Sequence, residues 1–256
     1  MIESIVKNKR VTEIYASFVK HMKNFLDEQQ INHEEYTNFV KWANRLGTSG
    51  EVPLFLDVFI ETYVLEAKYK GLPGTEPSLL GPYFVEGTPL LKEQPFVLPQ
   101  RPDEKGEKLV FRGTVSSVNG QPLPQTRVEW WQDDADGFYS NFDSDAPDYN
   151  LRGHFYTDEN GRFEVHSIVP VPYQIPTNGP TGEFVKAAGY HPYRPAHLHM
   201  KFEKEGHEPL ITQVFFEGDE WLDTDVANGV RTSLLTKLVD KGGHKEASLD
   251  FVMRIE

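Results

Sequence analysis

Apolar residues recur at helical spacing in the amino-terminal part of the chain, from about Thr12 to Tyr69. Recurrence every three or four residues places side chains on one face of a helix, so this part predicts three amphipathic helices. The segment Gly71-Leu-Pro-Gly74 ends the pattern with strong helix breakers. The periodic positions are Ile14, Phe18, Met22 and Phe25, then Tyr36, Phe39, Val40 and Leu46, then Leu56, Phe59, Ile60, Val64 and Leu65.

After Gly81 the pattern changes to short runs of branched and aromatic residues separated by turns such as Asn119-Gly120. Such runs predict strands joined as in β-hairpins, and therefore an antiparallel β-sandwich or barrel. We therefore expect a mainly β fold with two parts, a helical region over residues 1–80 and a β-sandwich domain over 81–256. A last short helix is expected over Val230–Val239. The predicted strands are Leu109–Val115, Thr126–Trp131, Arg162–His166, His197–Glu203 and Leu210–Phe216.

Two segments between the strands, Asp133–Arg152 and Pro170–Pro195, are longer than ordinary loops. Loops of that length in a compact domain are usually functional or disordered. Their aromatic and proline residues favour ordered walls of a binding site.

The chain has 256 residues, a formal charge of −13 and no cysteine. The negative charge disfavours nucleic acid and anionic membrane surfaces as partners, because both carry the same sign of charge. Without cysteine, any bound metal must use nitrogen and oxygen ligands. The segment Met1–Lys7 is polar within a few residues, and no apolar run reaches the roughly 18 residues of a membrane span, so we expect a cytoplasmic protein.

His197 and His199 stand one residue apart within Arg194-Pro-Ala-His-Leu-His-Met. On a strand this spacing points both imidazoles to the same side, which is how a strand presents two metal ligands. By itself, a pair facing solvent or a polar network is the commoner explanation. Four other histidines, His154, His166, His191 and His207, are expected at the surface or behind the ligands.

Other residues that could carry chemistry also have structural explanations. Tyr139 could simply pack against other aromatic side chains of its loop, and Tyr173 could stabilise a proline-rich turn. Together with the two histidines, the two tyrosines would instead suit ferric iron, which binds phenolate well. Arg194 could simply pair with an acidic residue. The acidic cluster Asp133, Asp134 and Asp136 resembles a metal loop, but a solvated turn is the better interpretation.

Several longer motifs resemble the intradiol ring-cleaving dioxygenases. They are Pro170-Val-Pro-Tyr-Gln-Ile-Pro176 with Gly179-Pro-Thr-Gly182, Arg194-Pro-Ala-His-Leu-His199, Thr212-Gln213, Gly81-Pro-Tyr-Phe-Val-Glu-Gly87 and Trp131-Gln-Asp-Asp-Ala-Asp-Gly-Phe-Tyr139. The resemblance runs from Gly81 to Gly229, and the helical amino terminus is similar to that of the catechol and chlorocatechol 1,2-dioxygenase branch.

The resemblance implies a non-haem Fe(III) site, one per chain, with Tyr139, Tyr173, His197 and His199 as metal ligands. It implies that Tyr173 and His199 are axial, and that a catechol displaces Tyr173, which then acts as a base. Arg194 is implied to stabilise developing negative charge, and Gln213 to lie behind the ligands near the ring. The implied reaction is cleavage of catechol by O2 to cis,cis-muconate.

The same resemblance assigns the pocket wall to Leu54, Asp57, Val58, Tyr83, Val226 and Ala227. Leu54 and the pair Asp57-Val58 resemble chlorocatechol and hydroxyquinol enzymes, whereas Ala227 resembles catechol enzymes. We expect catechol and substituted catechols as substrates first, chlorocatechols second and hydroxyquinol third.

Family members imply a homodimer formed through the amino-terminal helices, with a phospholipid at the dimer interface. Two other classes of protein remain open at this stage. One is a non-catalytic β-sandwich binding module, which would be colourless, and the other is a zinc or copper hydrolase that uses the same histidines.

Overall fold

The computed structural model describes residues 8–144 and 146–256. The prediction made for Met1–Lys7 lies outside the described residues. The chain divides into two compact units, Met1–Ser49 and Gly50–Glu256. No helix in the described part is long and apolar enough to span a membrane.

The first unit consists of two amphipathic helices, α1 (Lys9–Gln29) and α2 (His33–Thr48). Asn32 begins α2 with a capping box, in which its side chain accepts from the N–H groups of Glu34 and Glu35 while the Glu35 carboxylate accepts from the N–H of Asn32. Much of the apolar stripe of α1 is exposed in the single chain, with Phe18 58% and Phe25 49% exposed.

The second unit begins with the third predicted helix, which contains a π-helical turn. It runs as α3 (Val52–Leu56), a π segment (Asp57–Glu61) and α4 (Thr62–Tyr69). Single π turns inside helices are frequent at functional sites. The later helix α5 (Pro180–Ala187) lies within the second long loop segment.

Twelve strands follow α4 in the described chain. They are β1 (Phe96–Val97), β2 (Lys108–Ser117), β3 (Arg127–Trp131), β4 (Arg152–Tyr156), β5 (Arg162–Ile168), β6 (Tyr173–Gln174), β7 (Tyr193–Arg194), β8 (His197–Glu203), β9 (Leu210–Phe216), β10 (Leu235–Thr236), β11 (Val239–Asp240) and β12 (Lys245–Met253).

The strands form two five-stranded sheets, in the orders β1-β5-β2-β12-β11 and β10-β9-β8-β3-β4, and a small pair β6-β7. The expected β-sandwich with an amino-terminal helical region is confirmed, but the expectation of strictly antiparallel sheets was wrong. Three pairs are parallel: β1 with β5, β2 with β12 and β9 with β10. The carboxyl-terminal strand β12 returns beside β2 over nine residue pairs, which local patterns do not reveal.

The core lies between the two large sheets and follows the period of two expected for half-buried strands. In β8, Leu198, Met200 and Phe202 are buried in this core. Across it, Phe111 of β2 meets Trp130 of β3 at 5.4 Å between ring centroids. The alternate residues of β8, His197 and His199, therefore lie on the opposite face of their sheet.

Two local predictions were wrong. The segment expected to form a helix over Val230–Val239 has only a 3-10 turn over Thr232–Leu234, because the backbone then pairs with β9 as β10. The Asn119-Gly120 turn does not close a hairpin between β2 and β3: these strands belong to different sheets, and β2 pairs with β5 and β12 instead.

Candidate active site

The two histidines of the site lie on β8, in the middle of their sheet. His199 pairs with Trp131 of β3 on one side and with Gln213 of β9 on the other. The indole of Trp131 stacks on the imidazole of His199 with a centroid distance of 4.8 Å. Both histidines are 1% exposed, so the solvent-facing explanation of the motif does not hold.

The two tyrosines come from the two long loop segments. Tyr139 follows a turn in which the carboxylate of Asp134 accepts from the N–H groups of Asp136 and Phe138. Its own N–H donates to Asp143 Oδ2 at 2.8 Å. Tyr173 lies on β6, opposite Arg194 on β7. Each of the two long segments thus contributes one tyrosine to the same site.

The four side chains converge. The Nε2 atoms of His197 and His199 are 3.0 Å apart. The ring of Tyr139 lies 5.4 Å from that of Tyr173 and 6.1 Å from that of His199, and Tyr173 lies 5.5 Å from His197. The hydroxyl of Tyr139 is buried and has no hydrogen-bond partner among the described residues. A buried phenol without a partner, beside two converging imidazole nitrogens, fits a group that the four residues bind together.

The histidines are held neutral. Burial, reinforced by the positive charge of Arg194, lowers the pKa of His197 to about 3. Burial and the neighbouring His197 lower the pKa of His199 well below its ordinary value. Nδ1 of His197 lies 2.7 Å from the carbonyl oxygen of Pro195. Donation to that carbonyl leaves the Nε2 lone pair directed into the site, as a metal ligand requires.

Burial acts in the opposite direction on the tyrosines. It raises the pKa of Tyr139 well above its ordinary value, with a further rise from Tyr173. Burial also raises the pKa of Tyr173, but here the positive charge of Arg194 opposes the effect. Without a strong cation both side chains are therefore phenols at neutral pH, and a bound cation would reverse this.

Arg194 lies at the centre of a buried polar network. Its Nε and Nη2 donate to Asp225 at 3.0 and 2.9 Å, Nη2 also donates to Gln213 Oε1 at 3.0 Å, and Nη1 lies 3.2 Å from His197 Nε2. Gln213 Nε2 in turn donates to Leu79 O at 2.9 Å. The ion-pair explanation of Arg194 and its place beside the histidines thus both hold. Sequence reasoning missed Asp225, for which Asp225-Val-Ala-Asn gives no distinct signal.

A pocket opens beside Tyr173 and Arg194, and the space between its lining atoms amounts to about 310 Å³ when the open solvent at its mouth is included. Gly81 contributes to its wall, and a Cβ on Gly81 would lie 3.3 Å from Cε1 of His199. The expected wall residues that line this pocket are Leu54, Asp57, Val58, Tyr83 and Ala227. Val226 does not line it; this residue faces a neighbouring groove that shares Val58 and Ala227.

The structure corrects the expectation of a solvated acidic turn at Asp133, Asp134 and Asp136. Asp133 and Asp134 are each 1% exposed, and only Asp136 is exposed. Asp134 orders the turn and pairs with Arg101 at 2.7 Å. Both carboxylate oxygens of Asp133 lack a hydrogen-bond partner within the described chain, and burial raises its pKa well above its ordinary value.

The donor set limits which metal the site could hold. Among residues 8–144 and 146–256, no group of three or more His, Cys, Asp or Glu side chains could bind a metal ion. A metal at the two histidines would therefore need the tyrosines as its other ligands. Two neutral imidazoles and two hard phenolate oxygens suit an oxidised, Lewis-acidic ion such as ferric iron.

Comparison with protein families gives two matches that together span most of the chain. A family described as Dioxygenase matches residues 79–255, and one described as Catechol dioxygenase N terminus matches residues 8–71.

Individual relatives agree with the family matches. A chlorocatechol 1,2-dioxygenase of Rhodococcus opacus is 39% identical over 95% of this chain and 96% of its own length, and one of Pseudomonas putida is 36% identical over 97% and 95%. The crystal structure of 3-chlorocatechol 1,2-dioxygenase from Rhodococcus opacus superposes with a TM-score of 0.89 at 40% identity, covering 98% of this chain and all of that one.

Proposed function

The chain belongs to the intradiol ring-cleaving dioxygenases, in the branch of catechol and chlorocatechol enzymes, and from this premise we propose its metal, substrate and product. The protein binds one ferric ion through Tyr139, Tyr173, His197 and His199. It cleaves chlorocatechols, and catechol itself, between the two hydroxylated carbons. The supporting observation is the convergence of the two Nε2 atoms, 3.0 Å apart, beside the unpartnered hydroxyl of Tyr139.

The reaction is balanced without a further reductant. One carbon–carbon bond of the diol breaks, and both atoms of O2 enter the product, a cis,cis-muconate. When bound, ferric iron supplies a Lewis-acidic centre for the two diol oxygens. A binding module or a hydrolase, both open from the sequence, does not fit the family.

The residues of the chain would orient the diol and manage its protons and charge. Tyr173 lines the pocket next to Arg194, and as the phenolate that a bound ferric ion would stabilise it would take a proton from one diol hydroxyl. Arg194 stays cationic because its pKa is raised above its ordinary value, most strongly by Asp225 against the effect of burial. Its guanidinium is therefore suited to stabilise negative charge that develops on the cleaving ring. Gln213 keeps Arg194 in place through the 3.0 Å hydrogen bond from Nη2.

The pocket wall determines which ring substituents fit. Leu54, Val58 and Ala227 form an apolar part of it, beside the carboxyl of Asp57 and the ring of Tyr83. Such a wall accepts a chlorine atom, which is apolar and larger than hydrogen. Because the similar relatives are chlorocatechol 1,2-dioxygenases, we now place chlorocatechols first, catechol second and hydroxyquinol third among the substrates. The sequence alone places catechol first.

Visible spectroscopy tests the metal and its ligands. The iron-loaded protein should be burgundy from tyrosinate-to-iron charge transfer, and anaerobic catechol should move the band to longer wavelength. Tyr173→Phe should displace the band of the resting protein and abolish cleavage. Tyr156→Phe, which changes an exposed tyrosine of β4, is the matched control and should leave both unchanged. A colourless iron-loaded protein would contradict the ligand assignment.

Steady-state kinetics test the substrate. We expect kcat/KM to be higher for 3- or 4-chlorocatechol than for catechol, and lowest for hydroxyquinol. A methylene-sized difference in a pocket changes selectivity by about 1–3 kcal/mol. The kcat/KM values for any two of these diols should therefore differ by roughly 200-fold at most. Turnover of none of these diols would contradict the proposed reaction.

We also propose that residues 1–80 form a dimerisation region and residues 81–256 the catalytic domain. The exposed apolar side chains of α1, among them Ile14, Phe18 and Phe25, support a homodimer through the amino-terminal helices. A phospholipid at that interface is part of the same proposal. Light scattering measures the mass in solution, and a mass spectrum of an organic extract tests for the lipid.

A further inference from the structure

Arg152 is a fully buried arginine on β4 whose hydrogen-bond partners in the described part of the chain are all uncharged. Its relative exposure is 0%. Nε donates to Ser140 Oγ at 2.8 Å, Nη2 donates to Ser140 O at 2.9 Å, and Nη1 donates to Tyr83 O at 2.6 Å. The guanidinium thus holds its hydrogen bonds but none of them neutralises its charge.

No carboxylate of the described residues forms an ion pair with Arg152, unlike the other deeply buried arginine of the site, Arg194, which pairs with Asp225. A buried charge is costly unless it is both hydrogen-bonded and compensated by an opposite charge. Among the described residues Arg152 meets only the first condition, and no acidic side chain of residues 8–144 and 146–256 supplies its counter-charge.

The ionisable group against which Arg152 lies is Tyr139. The guanidinium carbon is 5.9 Å from the Tyr139 ring centroid and 5.7 Å from that of Phe142. Arginine over a neutral phenol makes only a cation–π contact. A tyrosine that ligates ferric iron is a phenolate, and its negative charge would attract the same guanidinium directly.

The hydrogen bonds of Arg152 also hold the backbone on both sides of the Tyr139 ring in place. Ser140 directly follows Tyr139, and the Tyr83 ring stacks on the Tyr139 ring at 4.3 Å with an interplanar angle of 11°. One guanidinium thus fixes the residue after the ligand and the backbone of the residue that covers the ligand's face. These contacts place the positive charge at a set distance from the Tyr139 ring.

We propose that Arg152 is a positioning residue of the metal site whose guanidinium serves as the counter-charge of the Tyr139 phenolate. The proposal rests on the proposed function, since it requires Tyr139 to ligate ferric iron. A positive charge beside a phenolate lowers the energy of its electrons and makes charge transfer to the metal harder. Removing that charge should therefore move the tyrosinate band to longer wavelength.

The test compares the visible spectra of iron-loaded wild type, Arg152→Gln and Arg152→Lys. Gln removes the charge but can still form hydrogen bonds, whereas Lys keeps the charge and cannot make the forked hydrogen bonds. The matched control is Arg127→Gln on the adjacent strand β3, where the arginine pairs with Glu129 and Glu203 instead. A wild type without a tyrosinate band would contradict the proposed function, whatever the variants do.

We expect Arg152→Gln to displace the band to longer wavelength by roughly 10–30 nm, the size expected for a unit charge at this distance in a partly screened site. We expect Arg152→Lys to show less than half of that displacement, and the control to show none. Iron affinity should fall about ten-fold or more in Arg152→Gln, as for other residues that support metal ligands. The rise in Tm on iron loading should be smaller in that variant than in the wild type.

Two outcomes would overturn the proposal. An Arg152→Gln protein with the wild-type band would show that the charge does not act on Tyr139. Equal displacement in the Gln and Lys variants would show that only the hydrogen bonds matter. If Arg152→Gln does not fold or bind iron, Arg152→Lys decides: a band near the wild-type wavelength supports the counter-charge, and a band displaced by roughly 10–30 nm rejects it.

Discussion

Arg194 and Asp225 form a bidentate ion pair in the interior, with Nε and Nη2 of the arginine 3.0 and 2.9 Å from the two carboxylate oxygens. The same carboxylate accepts from the N–H groups of Ala227 and Gly229 at 3.1 and 2.9 Å. Asp225 therefore joins the arginine to the loop that carries the pocket-wall residue Ala227. The charge beside the histidines and the shape of the wall depend on one carboxylate.

Replacing this carboxylate, Asp225→Asn, should destabilise the protein by about 3–5 kcal/mol at neutral pH, because it leaves the buried Arg194 charge without a partner. Burial alone would raise the pKa of Asp225, but Arg194 and the backbone N–H groups lower it below the ordinary 3.8. The stabilisation is therefore present above the unfolded-state pKa and is lost as pH falls through the folded-state pKa. Urea unfolding between pH 7 and pH 3 measures this; a gap between the two proteins that does not narrow in acid would argue against the ion pair.

Gln213→Met should reduce kcat more than it raises KM. Gln213 accepts from Arg194 and donates to Leu79 O at 2.9 Å, so its loss leaves the guanidinium less well fixed while the pocket wall keeps its residues. We expect a fall of about ten-fold in kcat, equivalent to about 1.4 kcal/mol. Gln121→Met, in an exposed turn, is the control. An unchanged kcat with a raised KM would instead indicate a role in binding alone.

Asp133→Asn should stabilise the protein at neutral pH by about 1–3 kcal/mol, because it removes a buried carboxylate that has no hydrogen-bond partner among the described residues. Burial raises the folded-state pKa of Asp133, the backbone N–H of Val171 opposes this rise, and the neighbouring Asp134 adds to it. Above the unfolded-state pKa of 3.8 Asp133 ionises in the unfolded chain but stays protonated in the folded protein. The wild-type protein therefore loses stability as the pH rises above 3.8, until the pH passes the folded-state pKa.

The gain from Asp133→Asn should accordingly disappear when thermal unfolding is measured below about pH 4. The exposed Asp136→Asn is the control and should change stability by less than about 0.5 kcal/mol at either pH. A variant less stable than wild type at pH 7 would mean that the Asp133 carboxylate has a favourable partner.

Glu51→Ala should raise KM for the diol about ten-fold with a small change in kcat. Glu51 immediately precedes α3, and its Oε2 accepts from the N–H of Thr181 in the first turn of α5 at 2.8 Å. A Cβ on Gly179 would lie 1.5 Å from Glu51 Oε1, so a larger residue there would displace the Glu51 carboxylate from this contact. The contact joins the start of α3 to α5, and Val58 of the π segment that continues α3 packs with Ile175 and with Val185 of α5. Val58 and Ile175 line the pocket.

Glu51→Gln is the matched variant because the amide oxygen can still accept from Thr181 while the charge is lost. The KM of Glu51→Gln should lie close to the wild-type value. The loss of charge should lower the free energy of unfolding by at most about 1 kcal/mol, the size of a helix-dipole interaction. KM values are measured at saturating O2. Equal KM in all three proteins would mean that this contact does not shape the pocket.

His197→Ala should abolish iron retention, since it removes a neutral donor from a rigid strand and leaves nothing to replace it. Iron content after dialysis against a chelator measures the loss. His207→Ala, which removes a histidine outside the site, should retain iron at the wild-type level. Full iron occupancy in His197→Ala would remove this residue from the ligand set.

The sequence by itself determined the elements whose signals are local. The period of two places His197 and His199 on one face of β8, and the helical spacing marks the amino-terminal helices, because both patterns repeat within a few residues. The long motifs around Tyr173 and Arg194 also identified the family, since they are specific in content and order.

Only the tertiary structure decided what depends on contacts between distant parts of the chain. Strand β12 pairs with β2, and Asp225 binds Arg194, although these segments carry no mutual signal in the sequence. The burial of Asp133 likewise follows from the packing of distant segments around it. Within the segment expected to be a helix at Val230–Val239, Leu235–Thr236 forms strand β10 because β9 offers it hydrogen-bond partners. Local propensity does not determine the secondary structure of a segment whose backbone groups form hydrogen bonds with distant strands. The missing counter-charge of Arg152 also depends on which distant residues surround it, so only the three-dimensional structure shows it.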